Sequence, residues 1–551
     1  MRKKAAPLAL MLTLALLLSS CERMRVLLGV KDLPAVSAPP ISSNQTDAPP
    51  TADAVLPPEV VQQTGDGRFS LRYHPARALN PITGMNSDNM IIASIMYEGL
   101  FRLNADFTVT NVLCESFETT DGKTFIFHIR ENIAMSDGST LDAHDVVFSL
   151  TQARSSEKYL GRLRYVSEIT DTDRLTVRVT LSKTNYSFPR LLDIPIIKYG
   201  YTGATPPGTG PFRYVEQDGE RLLIKMRDYR DGVADGVDAV YLVECGDKEQ
   251  WEMFTDLKID LLSFDPNGSF DVTLRRDHET RYYDTTVLQY IGFNPRGAAI
   301  SDVRFRQAVS LSANRGDITE RILSHRARSA YSAISPAYDL YDEAWSAPSA
   351  EDPRAEISRI FMEIGLVDSD EDDDTWLEYP TDGTLTSFVL SFIVSDENPT
   401  RVEAAKSIAD TLRHMGIDVK FEPLPFSQFK SRLEAGSFDL YYGEARLSAD
   451  FDLSPLLNQN GALNYGHIGG GESDGAISDM LGAQSDFSRK NAARALCALV
   501  TDGVPFAPVC YKQYAVYTGR GAIRDMTLSP SGVFCDLSGW KFSLGELLDN
   551  A

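Results

Sequence analysis

The stretch from residue 386 to 442 constrains the fold of this chain more than any other. Phe388–Val394 is a short, nearly unbroken apolar run, as expected of a strand covered on both faces. Val402, Ala405, Ile408, Ala409, Leu412 and Met415 then fall on one helical face, and Gly416 stands where such a helix would stop. Ile417, Val419 and Phe421 alternate like a second strand. A helix is predicted from about Ser427 to Ala435, and a third strand over Phe438–Tyr442. Strand, helix, strand, helix, strand makes a parallel sheet with helices covering it. Ligands of open parallel sheets lie outside the carboxyl ends of the strands, so the loop from Gly443 to Ser454 is expected to border a site.

Upstream, between Gly65 and about Leu181, the pattern is mostly that of strands. Ser116–Thr120 leads into Asp121-Gly122, a strong hairpin signal, and Phe125, Phe127 and Ile129 then alternate with polar or smaller residues. Leu175, Val177, Val179 and Leu181 repeat the alternation. Helices are predicted over Asn89–Leu100 and from Ala143 through Leu150.

The amino terminus reads as an address. Arg2, Lys3 and Lys4 precede an apolar stretch, Ala5–Leu18, too short for a comfortable membrane span and followed by charge. Leu18-Ser19-Ser20-Cys21 resembles a bacterial lipobox, which implies cleavage before Cys21 and a lipid on its thiol; the alternative is an ordinary cleaved signal with an incidental cysteine. Residues 21–65, rich in Pro, Ser, Thr, Asn and Ala, read as a disordered tether. Beyond Cys21 the cysteines number five, none in a CxxC pair, which argues against a disulfide framework or a zinc ribbon.

Charge and motif absences remove whole classes of function. A formal net charge of -23 opposes a nucleic-acid partner, because a polyanion is repelled at long range. No GxSxG elbow, HExxH pair or GxxxxGK[ST] loop occurs, and the seven histidines are scattered. No enzyme, cofactor or metal site is expected.

Several short motifs then appear in order: Asn80-Pro81-Ile82-Thr83, Met96-Tyr97-Glu98-Gly99-Leu100, Ser136-Asp137-Gly138-Ser139-Thr140-Leu141-Asp142-Ala143, Gly208-Thr209-Gly210-Pro211-Phe212, Phe293-Asn294 and Asp302-Val303-Arg304-Phe305-Arg306. In that order and spacing the chain, from about residue 68 to 540, resembles the extracellular solute-binding proteins of family 5, the dipeptide, oligopeptide and nickel-chelate receptors of ABC importers. The resemblance implies an α/β, two-lobed, periplasmic-binding-protein-like fold (type II, cluster C) with a β-rich subdomain in the first lobe. Its boundaries here are expected at 1–20 for the signal, 66–288 plus 503–551 for lobe I, 86–197 for the subdomain and 289–502 for lobe II.

The resemblance further implies capture of small oligopeptides in an interlobe cleft, delivery to a membrane permease with its ATPase, attachment to the bilayer through acylated Cys21, and a monomer. Alternatives are a receptor for a nickel chelate or sugar, or a peptide-sensing signalling lipoprotein. In peptide-binding members a carboxylate in an Ala-Asp-aromatic stretch pairs with the peptide's ammonium, and Ala449-Asp450-Phe451 occupies that place. Asp450 is therefore a ligand anchor or, alternatively, a loop cap. Leu447 stands where such receptors often carry Trp. Arg446 either holds a solute carboxylate or pairs with Glu444, and the sequence leaves both open. Tyr442, Asn80 and Asn294 complete the candidate ligand set, with turn or hinge duty as their rival roles.

Overall fold

Strands Leu390–Ser395, Val419–Leu424 and Leu440–Arg446 lie parallel, with Leu390–Ser395 in the middle, as the apolar pattern predicts. They belong to a computed structural model that describes residues 68–227, 229–232, 237–268, 276–345, 352–368, 376–381 and 383–543. The signal, Cys21 and the tether lie outside the described residues. Helix Pro399–His414 joins the first two strands. Asn398 caps it by accepting from the Arg401 backbone N–H, Pro399 opens it, and Gly416 ends it in a left-handed turn at φ +89°. Its inward face, Ala404, Ala405, Ile408, Ala409 and Leu412, is fully buried, and each large side chain there stabilises by about 1.5–3 kcal/mol.

Two long strands tie this sheet to the rest of the chain. His278–Phe293 and Phe506–Gly519 pair antiparallel along most of their length. The end of the first pairs with Leu440–Arg446, whereas the end of the second pairs with Leu261–Phe264. From there the sheet continues through Phe69–Tyr73, Ala239–Glu244, Glu220–Lys225 and Phe212–Gln217, so that eleven described strands form one sheet spanning both lobes. The pairing slips between Asp284 and Leu288 and again between Gln289 and Tyr290. Such irregularities bend a strand and re-aim its side chains, and here they fall midway along the crossing.

The β-rich part of the first lobe holds a four-stranded antiparallel sheet in the order Cys114–Glu118, Thr124–Ile129, Thr176–Leu181, Val166–Asp173. Asp121 shapes the predicted hairpin by accepting from the backbones of Lys123 and Thr124, while Gly122 takes φ +62°. Phe125, Phe127, Val177 and Val179 point into the core. Helix Ala143–Arg154 starts at a reciprocal cap, Asp142 with Asp145, and runs one turn past the predicted end. Helix Ser87–Met96 stops short of Leu100 because Tyr97 turns extended. The architecture is α/β and two-lobed. The five described cysteines are all free thiols, four of them buried.

Candidate ligand-binding site

A cavity of about 340 Å³ opens where the crossing strands meet both lobes. One wall is the turn Glu157–Arg164 of the β-rich part, with Asp193. The opposite wall is the segment Arg446–Asp452, directly after strand Leu440–Arg446, and the floor carries Tyr283, Thr285, Thr286 and Tyr514 from the two long strands. This is the carboxyl end of a parallel strand, where the sheet topology predicts a ligand. A larger cavity of about 900 Å³ lies around Arg315, helix Asp486–Gly503 and the start of strand Phe506–Gly519. Its Arg315 guanidinium is spent on the carbonyls of Ala330, Pro508, Ser310 and Ala313. No residue of the segment after strand Leu440–Arg446 lines it, so the cavity at the crossing is the stronger candidate.

Asp450 lies just behind the second wall, 3% exposed. Its Oδ2 accepts from the side-chain amide of Asn185 at 2.8 Å, and its Oδ1 accepts from the Ser448 hydroxyl at 2.5 Å and the Asp452 backbone at 3.3 Å. Burial, and Asp452 beside it, push the Asp450 carboxyl above the usual range. Three arginines surround it, yet each is matched elsewhere: Arg162 with Asp193, Arg164 with Asp452, and Arg190 with Asp339. Among the described residues Asp450 has no cation within ion-pair distance. Ser448 and Ala449 line the cavity and Asp450 is the next buried group.

Phe451 takes φ +53°, a conformation that costs an aromatic residue energy. Its ring is held edge-on by Phe107 at 5.3 Å and Tyr338 at 5.1 Å, and packs in the core. Arg446 lines the cavity and donates to the Tyr514 hydroxyl at 2.8 Å. Leu447, in the place of the family's frequent Trp, lines it as well. The other candidates are engaged away from the cavity. The Tyr442 hydroxyl donates to Gln289, the Asn294 amide donates to the carbonyls of Gly436 and Phe438, and Asn80 accepts from the backbones of Ile82 and Thr83 in a turn.

Sequence reasoning missed the opposite wall. Lys158, Arg162 and Arg164 sit in a turn with no periodicity to mark it, and Asn185 lies in a loop. The only available signal was the density of cations and tyrosines in Lys158-Tyr159-Leu160-Gly161-Arg162-Leu163-Arg164-Tyr165, unusual in so acidic a chain. A buried ion-pair cluster also links the two long strands' sheet to its neighbours. Lys512, 1% exposed at its side chain, reaches Asp265 and Glu444, and Glu444 also meets Arg401.

The model for bacterial extracellular solute-binding proteins, family 5 Middle, matches residues 108–462, more than half of the chain. The chain belongs to this family. It is a solute-binding protein of the ABC-importer type, and its relatives are named as binding proteins. The periplasmic oligopeptide-binding protein OppA of Salmonella typhimurium is 24% identical over 460 residues, 75% of this chain and 81% of that protein. Heme-binding protein A of Haemophilus influenzae is 22% identical over 445 residues, 72% and 78% of the two chains. In structure, a nickel ABC transporter protein of Bacillus halodurans superposes with a TM-score of 0.71 at 18% identity, covering 86% of this chain and 99% of that one. Family 5 members thus share the two-lobed fold seen here. No helix among the described residues is long and apolar enough to cross a membrane.

Proposed function

We propose that this family 5 protein captures a short oligopeptide in the cavity at the strand crossing and presents it to a membrane permease and its ATPase. The observation that carries this reading is Asp450, a buried carboxylate with hydrogen-bond donors but no ion-pair partner of its own. A buried charge without a counter-charge is costly, and an ammonium entering from the cavity would relieve that cost. A peptide's amino terminus is such a cation. The volume, about 340 Å³, lies near the lower end of the ~300–1,000 Å³ typical of small-molecule sites, which favours a short solute. The oligopeptide-binding name of the Salmonella relative agrees with a peptide.

In this reading residues 66–288 with 503–551 form one lobe and 289–502 the other. The solute bonds to both when they are shut, so binding biases the hinge toward closure. Cys21, after its apolar leader, carries the lipid that holds the monomer at the outer face of the membrane. The test is a thermal-shift screen of the purified protein against peptides of two to five residues, with nickel–histidine chelates and sugars as the other arms. Ligand at about 100 times its dissociation constant should stabilise by about 2.7 kcal/mol. A shift with chelates or sugars and none with peptides would overturn the peptide reading.

A further inference from the structure

Strand Phe69–Tyr73 runs parallel to Ala239–Glu244, with Tyr73 opposite Glu244, so the two strands end at the same edge of the sheet. The residue after the first strand is His74, and the turn after the second carries Asp247. Helix Ser87–Met96 brings Asp88 to them in its first turn. His74 Nε2 lies 3.1 Å from Asp88 Oδ2 and 4.0 Å from Asp247 Oδ1, and the three atoms all fall within 4.8 Å of one another. None of the three residues lines the cavity at the strand crossing, so solute capture leaves them unused.

A fully buried amide holds this arrangement from outside. Asn89, next to Asp88, accepts from the His74 backbone N–H at 2.9 Å and donates to the carbonyls of His74 at 3.0 Å and Arg77 at 2.9 Å. The two-way clasp fixes the His74 backbone against the helix that carries Asp88. Outer hydrogen bonds of this kind are what orient metal ligands in other proteins.

The local charge is negative. Among the described residues, the one arginine or lysine paired with either carboxylate is Arg72, which meets Asp88 at 3.2 Å and also Asp247. Glu249 stands close by, accepting from the Gly246 backbone at 3.2 Å. Arg72 does not depend on the carboxylates for its place, because it also donates to the Cys245 carbonyl at 3.2 Å and to Gln250 Oε1 at 2.7 Å. Either a proton on the imidazole or a metal ion would supply the missing positive charge. Ligand atoms of a tetrahedral zinc shell, with bonds of about 2.0–2.2 Å, lie roughly 3.3–3.6 Å apart, between the two distances measured from His74.

We propose that His74 Nε2, Asp88 and Asp247 bind a divalent transition metal of the zinc class, with water completing the shell. The imidazole selects against magnesium and calcium, which prefer oxygen ligands throughout. The ion ties the ends of two strands to the start of a helix, apart from the solute cavity, and it does not rest on the peptide reading.

Calorimetry of zinc chloride into the chelator-stripped full chain tests this. One equivalent should bind, and zinc should raise the melting temperature until a chelator reverses the effect; magnesium and calcium should leave it unchanged. His74→Gln and Asp247→Asn should each weaken zinc binding by at least about tenfold and remove the thermal shift. The Asp247 side chain is 71% exposed, so that variant keeps the fold. Zinc binding of wild-type strength in both variants would place the ion elsewhere and overturn the proposal. A wild type that takes up no zinc would overturn it too, and leave the cluster as an ion-pair network completed by a proton.

Discussion

The side-chain amide of Asn185 donates to Oδ2 of Asp450 at 2.8 Å, across 265 positions of sequence, and so joins the loop after strand Thr176–Leu181 to the loop after strand Leu440–Arg446. The bond satisfies an oxygen of the carboxylate without neutralising it.

Asp450→Asn keeps the size of the side chain and removes its charge. Affinity for a peptide with a free amino terminus should fall by about 3–5 kcal/mol, the usual consequence of leaving one member of a buried ion pair alone. The N-acetylated form of the same peptide should bind wild type and variant equally. Calorimetry on the four combinations decides; equal losses for both peptides would take Asp450 out of ammonium recognition.

The same residue sets a pH dependence. Burial first, and Asp452 second, raise the Asp450 carboxyl above its ordinary value. The stability linked to its proton is therefore fully present below the ordinary carboxylate pKa and is lost as pH rises through the raised one. As pH rises from about 4, the ordinary carboxylate value, the unfolding midpoint of the solute-free wild type should decline relative to that of Asp450→Asn. Parallel curves would contradict the sign of this linkage.

Arg164 and Asp452 form the other link between the facing walls. Burial opposes the Arg164 charge, but Asp452 outweighs it and holds the guanidinium above its ordinary value. Arg164→Gln leaves the Asp452 side chain, 2% exposed, without its cation. A loss of about 1–3 kcal/mol is expected in denaturant unfolding, less than for a fully buried pair because Arg164 keeps some contact with water. Small-angle scattering of the solute-free variant should give a larger radius of gyration than wild type, since one closing contact is gone.

Lys512 is the buried cation at the crossing, between Asp265 and Glu444. Burial alone would raise the Glu444 pKa, but Lys512 and Arg401 overcome this and lower it. Stability from Glu444 is thus present above the ordinary glutamate pKa and lost as pH falls through the lowered one. Lys512→Met should cost about 3 kcal/mol at neutral pH by leaving Asp265 without this cation and Glu444 with Arg401 alone, and the deficit should shrink in acid. A deficit independent of pH would mean that packing, not charge, explains the loss.

Much of the second lobe was legible in sequence because its signals are local. Ile408 and Leu412 report a helical face by spacing and Gly416 a stop, and the structure follows each to within a few residues. Helix Ser87–Met96 shows the limit: the apolar pattern ran on to Leu100, but Tyr97 packs in the core and bonds the Pro206 carbonyl, and this tertiary contact ended the helix early. Of the candidate site, Arg446 and the Ala449–Phe451 segment were found from strand order and resemblance. Tyr442 was named from the strand that precedes that segment and Asn294 from the Phe293-Asn294 motif, yet their polar atoms are consumed by Gln289, Gly436 and Phe438.

By itself the sequence determined the class of sheet, the helices that cover it and the loop that borders the cavity, since periodicity and capping act over a few residues. Only the tertiary structure decided which charges are matched. Arg446 is two positions from Glu444 and still lacks a carboxylate, because Lys512 and Arg401 arrive from distant segments and occupy Glu444. Coulomb attraction follows distance in space and the surrounding dielectric, and neither is written in the order of the residues.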